Sequence, residues 1–145
     1  MSLEKWKKQY WKKFVVHMSG SEAVQVDLGL FRGLRPDALA EHGLHLEAGL
    51  RGDVSVTAGG LGQHRFYPAH PDNLALCAWT RSRGKWCTEE CPLRMARSGI
   101  RCYRDRKDTD DGTVIENPDQ VFKDTQNPEP MIAWLEKAAE VPEHV

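Results

Sequence analysis

The chain has 145 residues, 40% of them apolar and 28% charged, with five Trp, three Tyr and four Phe, which suits one soluble domain with a modest core and excludes a wholly disordered chain. No stretch reaches the roughly 18 to 20 apolar residues that cross a bilayer. The opening MSLEKWKKQYWKK lacks the apolar centre and small-residue cleavage site of a secretory signal, so the expectation is a cytoplasmic protein with no membrane partner.

Along the chain, Leu3, Trp6, Tyr10 and Phe14 recur at three-to-four spacing with lysines between them, which predicts a short amphipathic helix, with a strand as the rival for Phe14 to Val16. Ser19-Gly20-Ser21 reads as a turn. Val24, Val26, Leu28 and Leu30 alternate with Gln25, Asp27 and Gly29, the period of a half-buried strand, so a hairpin is expected over about residues 12 to 31. Pro36 to His42 carries a helix-start proline and a stop at Gly43. Leu44, Leu46, Ala48 and Leu50, then Val54, Val56 and Ala58, alternate on either side of Arg51-Gly52-Asp53 and predict a second hairpin.

Gly59 to Gly62, Pro68 and Pro71 mark a loop, after which Asp72 or Asn73 is placed to cap a helix through Leu74, Leu76, Cys77, Ala78 and Trp79. Asn117-Pro118-Asp119 and Asn127-Pro128-Glu129 are two helix-start signatures. Only the second is followed by a full apolar face, Met131, Trp134, Leu135, Ala138 and Ala139, extended by Val141. Such a face is expected to dock on the core, with partner recognition as the alternative. Asp105 to Thr113 reads as a linker. The expected fold is therefore α+β: a small antiparallel sheet of hairpins with flanking helices and a metal-stabilised four-cysteine segment. Residues 1–107 would form one domain and residues 108–145 an acidic C-terminal segment ending in a helix.

The formal net charge of −1 conceals strong polarity. Five lysines against Glu4 make residues 1–13 net +4, and residues 14–80 are net −3. Arg81, Arg83, Lys85, Arg94, Arg97, Arg101, Arg104, Arg106 and Lys107 oppose only Glu89, Glu90 and Asp105, so residues 81–107 are net +6. Ten acids against Lys123 and Lys137 make the remainder net −8. A basic stretch of that density is the footprint of a phosphate-backbone or acidic-protein partner, unless it pairs with the acidic end of its own chain.

The four cysteines, Cys77, Cys87, Cys91 and Cys102, fall inside this basic stretch or at its edge, with the spacing C-x9-C-x3-C-x10-C. In a reducing compartment such a group reads more economically as a metal site than as two disulfides or unligated thiols. Four thiolates supply the tetrahedral set that zinc prefers, and the same number ligates an iron-sulfur cluster, so zinc is the first expectation and iron-sulfur the second. His64 and His70 are substitutes for one cysteine only if the loop brings them near. Trp86 and Tyr103, beside Cys87 and Cys102, would shield the sulfurs or stack on bases.

Cys87-x3-Cys91-Pro92-Leu93, then Gly99 and Cys102-Tyr103, resembles a C-x3-C-P-L…G-C-Y segment of phage-encoded proteins of unassigned function. The resemblance spans residues 87–103, implies a small phage or bacterial accessory factor and carries over no activity.

His45-Leu46-Glu47 with the later cysteines has the residue types of a zinc deaminase. That chemistry needs His-x-Glu at a helix start and a proline before the first cysteine, whereas Leu44 to Leu50 alternates like a strand and Trp86 precedes Cys87. Gly59-Gly60-Leu61-Gly62 lacks the Lys-Ser/Thr of a phosphate loop, and there is no G-x-S-x-G. The sequence thus favours a non-enzymatic binding protein. Its metal site would organise a basic surface, Arg81, Arg83, Lys85, Arg94, Arg97, Arg101, Arg104 and Arg106, for nucleic acid or a nucleic-acid-processing host protein. The rivals are a protein-directed inhibitor or adaptor using the acidic C-terminal helix, and a redox or deaminase-like enzyme.

Overall fold

A computed structural model describes residues 2–11, 19–49, 53–59, 64–70, 73–82, 91 and 118–140. These residues form six helices and a two-stranded antiparallel sheet, an α+β arrangement.

Helix α1, Ser2–Tyr10, follows the expected spacing: Leu3 and Trp6 are buried, and Tyr10 packs partly against the core. The Trp6 indole N–H donates to the Gly33 carbonyl at 2.8 Å, which satisfies the one polar atom of a fully buried ring. Gly33 is needed for a second reason. A Cβ there would lie 2.4 Å from Cγ of Tyr10, closer than any real contact, so only glycine lets the tyrosine lie against this turn.

The first expected hairpin is corrected over its described residues, and its first part, with Phe14 to Val16, lies outside them. Residues Gly20–Arg32 form α2, a thirteen-residue helix. The apolar residues from Val24 to Leu30 do alternate, but Ala23, Val24, Asp27, Leu28 and Phe31, all buried, repeat at the helical interval and continue it in both directions. Ser19 is the N-cap and not a turn residue. Its Oγ accepts from the Glu22 N–H at 3.1 Å and lies 3.3 Å from the Glu22 carboxylate, so Ser19-x-x-Glu22 has the residues of a capping box.

Helix α3, Pro36–Ala40, begins at its proline as expected. It stops at Gly43, which takes φ +66°. The Leu44 N–H bonds to the Leu39 carbonyl at 2.9 Å and the Gly43 N–H to the Ala40 carbonyl at 3.0 Å, the two bonds of a Schellman stop. That turn delivers the chain directly into the sheet.

Strands β1, His45–Ala48, and β2, Val54–Thr57, pair antiparallel as expected, with Leu46 opposite Val56 and Glu47 opposite Ser55. The Gly49 N–H reaches the Asp53 carbonyl at 2.6 Å and closes the turn end. On its other side β2 bonds to Phe66 through Val56, in both directions. With a neighbour on each flank, all four residues of β2 are buried, whereas β1 is exposed at both ends.

Helix α4, Ala75–Ser82, lies in the expected place. The expected local cap is corrected for Asn73, whose side chain donates to the Tyr67 carbonyl at 2.8 Å; Asp72 lies outside the described residues. The carboxylate at the start of α4 comes instead from α2, as set out below.

Both C-terminal signatures form helices: α5, Pro118–Thr125, and α6, Glu129–Ala139. The sequence undervalued α5 because Val121 and Phe122 are almost its whole apolar content. Phe122 is nevertheless fully buried, edge-on to Phe31 with ring centres 5.5 Å apart. The Asn127 side chain accepts from the Glu129 N–H at 3.1 Å and so caps α6. Met131, Ile132, Leu135 and Ala138 of α6 are buried, and the helix docks chiefly on α2. The docked face matches the expected one at Met131, Leu135 and Ala138 and adds Ile132, while Trp134 and Ala139 are only partly covered and Val141 lies outside the described residues.

One core contains Leu3 and Trp6 of α1, Val24, Leu28 and Phe31 of α2, Val54 and Val56 of β2, Leu76 and Trp79 of α4, Phe122 of α5 and Leu135 of α6. Helix α2 contacts α1, α4 and α6 and so lies at its centre. No helix among the described residues is long and apolar enough to cross a membrane.

Candidate metal centre and basic segment

The cysteine-bearing segment leaves the core through α4, so the way α4 is held decides how that segment is presented. Its first two N–H groups, at Ala75 and Leu76, are buried and have no partner within their own helix. Both bond to the Asp27 side chain of α2: Ala75 N to Oδ1 at 2.7 Å and Leu76 N to Oδ2 at 3.0 Å. Asp27 itself is only 2% exposed. Burial pushes its carboxyl up to about 7, partly opposed by the two amide N–H groups, which favour the anion. A carboxylate from a neighbouring helix therefore does the work usually left to a local N-cap.

One residue past this clamp comes Cys77, half-buried at the edge of the core, and one turn later Arg81, also half-buried. Four residues apart on a helix, they share one side of α4. Between them the Thr80 hydroxyl donates to the Cys77 carbonyl at 2.9 Å. Trp79 is 7% exposed and belongs to the core. Cys91 is likewise half-buried and packs against the core. The core thus meets the candidate ligand set at two of its four positions.

Cys87 and Cys102 lie outside the described residues, as do Arg83, Lys85, Arg94, Arg97, Arg101, Arg104 and Arg106 of the expected binding surface, and Trp86 and Tyr103. Among the described residues, no group of three or more His, Cys, Asp or Glu side chains is placed to hold a metal. His64 and His70 are both exposed.

The acidic helix α6 directs two of its charges toward the arginines of α2 and the turn after it. Arg35 forks onto Glu129, Nε to Oε1 at 2.7 Å and a terminal nitrogen to Oε2 at 3.2 Å. Arg32 reaches Glu136 at 4.0 Å. The hydrogen bonds from Arg35 hold the Glu129 carboxyl below the usual range and raise the guanidinium in return. Glu129 and Glu136 therefore answer positive charge from outside the 81–107 segment.

The residues of the deaminase alternative also have a definite place. His45 and Glu47 lie two apart on β1, with His45 Nε2 3.7 Å from a Glu47 oxygen. The Arg65 guanidinium, 2.6 Å from Glu47, lowers that carboxyl and ties it to the sheet surface. His-x-Glu on a strand is not the helix-start arrangement that deaminase chemistry uses.

Sequence reasoning missed Asp27, although a signal was present: a lone carboxylate among Val24, Leu28 and Phe31, once the helical period is seen, falls on the buried face. Compared with protein-family models, curated proteins and solved structures, the chain has no match.

Proposed function

We propose that this chain is a small non-enzymatic binding protein, of the kind a phage or bacterium uses as an accessory factor, in which a metal-bound cysteine cluster carries a basic surface to nucleic acid. Cys77, Cys87, Cys91 and Cys102 would hold zinc, or alternatively an iron-sulfur cluster, as thiolates. The bound group would supply structure and no chemistry: it would cross-link a stretch of residues 81–103 that has few apolar residues of its own, so that ordering of the stretch follows metal loading. What supports this role is that Cys77 and Cys91 both lie half-buried against the edge of the core.

The observation that carries the reading is the pairing of Glu129 and Glu136 with Arg35 and Arg32. It engages two of the ten acids of residues 108–145 with Arg32 of α2 and Arg35 of the turn after it, which supports a role for the acidic end other than neutralising residues 81–107. Arg81, Arg83, Lys85, Arg94, Arg97, Arg101, Arg104 and Arg106 then form the phosphate-contacting set.

The test has two parts. Elemental analysis and an absorption spectrum of anaerobically purified protein should give one equivalent of zinc, or the visible bands of an iron-sulfur centre. Binding to a labelled oligonucleotide should weaken steeply with salt, and Arg94→Glu with Arg97→Glu should weaken it across sequences. Metal-free protein that binds as tightly, or binding indifferent to salt, would refute the reading. If the partner is a host protein docked on α6, substitutions at its exposed Ala133 and Lys137 will break that complex instead.

A further inference from the structure

A second feature lies at the far end of the sheet from the Schellman turn. Tyr67 is 41% exposed, the one large apolar side chain so exposed among the described residues. Its backbone is nonetheless held firmly. The preceding residue, Phe66, is bonded to β2, and the Tyr67 carbonyl accepts from the Asn73 side chain at 2.8 Å and from the His70 N–H at 3.3 Å. An exposed ring on a fixed turn loses little freedom when a ligand covers it, which is what makes such rings effective contacts.

Two hollows flank this ring and share Asp53 and Tyr67 as lining. One, of about 200 Å3, is lined further by Val54, Ala69, His70 and Lys123 among the described residues. The other, of about 430 Å3, is lined further by Glu47, Ala48, Gly49, Ser55 and Arg65 among the described residues. Asp53 is exposed, its carbonyl is fixed by the Gly49 N–H, and its carboxylate is bonded to no described side chain or amide. The site therefore offers an exposed aromatic ring with the Asp53 carboxylate and Lys123 in the same lining.

From this juxtaposition we infer that the hollows flanking Tyr67 are a subsite for an unstacked base of single-stranded nucleic acid, with the base on the Tyr67 ring, its exocyclic amino group on Asp53 and its phosphate toward Lys123. The inference deepens the nucleic-acid reading above and rests on it. A planar heterocycle suits the site, because beyond the ring the described apolar lining of the smaller hollow is Val54 and Ala69, small surfaces that meet the edge of a flat ring. Stacking on an aromatic face is indifferent to base identity, but the carboxylate is not: cytosine and adenine present an amino donor and uracil presents none.

The experiment measures binding of labelled dodecamers, oligo(C), oligo(A), oligo(U) and a mixed-sequence duplex, over a range of salt. Wild-type protein should hold oligo(C) and oligo(A) several-fold more tightly than oligo(U). Tyr67→Ala should weaken all single strands about 5- to 100-fold without changing the salt slope or duplex affinity, and Tyr67→Phe should restore the loss. Asp53→Asn should erase the preference over oligo(U). Single-strand affinity unchanged in Tyr67→Ala would overturn the inference while leaving the basic-segment reading intact, provided salt dependence and the effect of Arg94→Glu persist. Wild-type protein that binds no nucleic acid would overturn both. Cytidine monophosphate competing as well as the dodecamer would reassign the hollow to a free nucleotide and overturn the strand assignment.

Discussion

Replacing Asp27 by Asn tests whether α4 is held by a buried carboxyl group whose charge opposes folding. The folded carboxyl titrates at about 7, and an unfolded aspartate near 4. A raised folded value means that the native state holds its proton where the unfolded chain has released it. The contribution of Asp27 to stability is therefore full below about pH 4, declines between about 4 and 7, and is lost above that range. Three units of separation correspond to roughly 4 kcal/mol over that window. Asn cannot ionise, so the stability difference between wild type and Asp27→Asn isolates this group from every other carboxyl. At pH 4.5 the wild type should be the more stable, because the amide presents an N–H pair to one of the two backbone donors, a mismatch worth about 1 to 3 kcal/mol. By pH 8 that advantage should vanish or reverse. Urea unfolding followed by Trp fluorescence at pH 4.5, 6 and 8 would measure it. If the wild type instead gains on the variant as pH rises, the two amide N–H bonds outweigh burial and the reasoning is wrong.

Other expectations follow from the packing and the candidate ligands. Phe122→Ala should cost about 3 to 5 kcal/mol, read as a lower urea midpoint, because this fully buried ring packs edge-on to Phe31; a loss under 1 kcal/mol would contradict its place in the core. Gly33→Ala should destabilise by about 1 to 3 kcal/mol through overpacking against Tyr10, and Tyr10→Ala in the same chain should recover part of that loss in a thermal melt. Removing metal with a chelator under reducing conditions should open the arginines between 83 and 106 to trypsin while Arg32 and Arg35 stay protected. Cleavage that is the same with and without chelator would count against the thiolate site.

What could be read from the chain divides by the range of the signal. Helices α1 and α3 and the β1–β2 hairpin were legible because Leu3 and Trp6, Pro36 with Gly43, and the alternation on either side of Arg51 to Asp53 are local patterns. Helix α2 is ambiguous in sequence because the same apolar residues satisfy two periods, and only the helical one includes Ala23, Phe31 and the Ser19 cap on Glu22. Helix α5 was undervalued because one fully buried phenylalanine anchors it where a long face was sought. Of the candidate site, the cysteines and arginines are conspicuous by composition. The clamp on α4 is not, because Asp27 and Ala75 are 48 residues apart and no local pattern joins them.

The docking of α6 on α2 joins parts of the chain far apart in sequence; the Arg35–Glu129 fork alone spans 94 positions. During synthesis Val24, Leu28 and Phe31 leave the ribosome long before Met131 and Leu135 exist to cover them. Closure of the hydrophobic interior must then be a late event in the life of the nascent polypeptide. A premature stop anywhere before α5 would release a product with a greasy, uncovered helix, a natural substrate for chaperones and proteases.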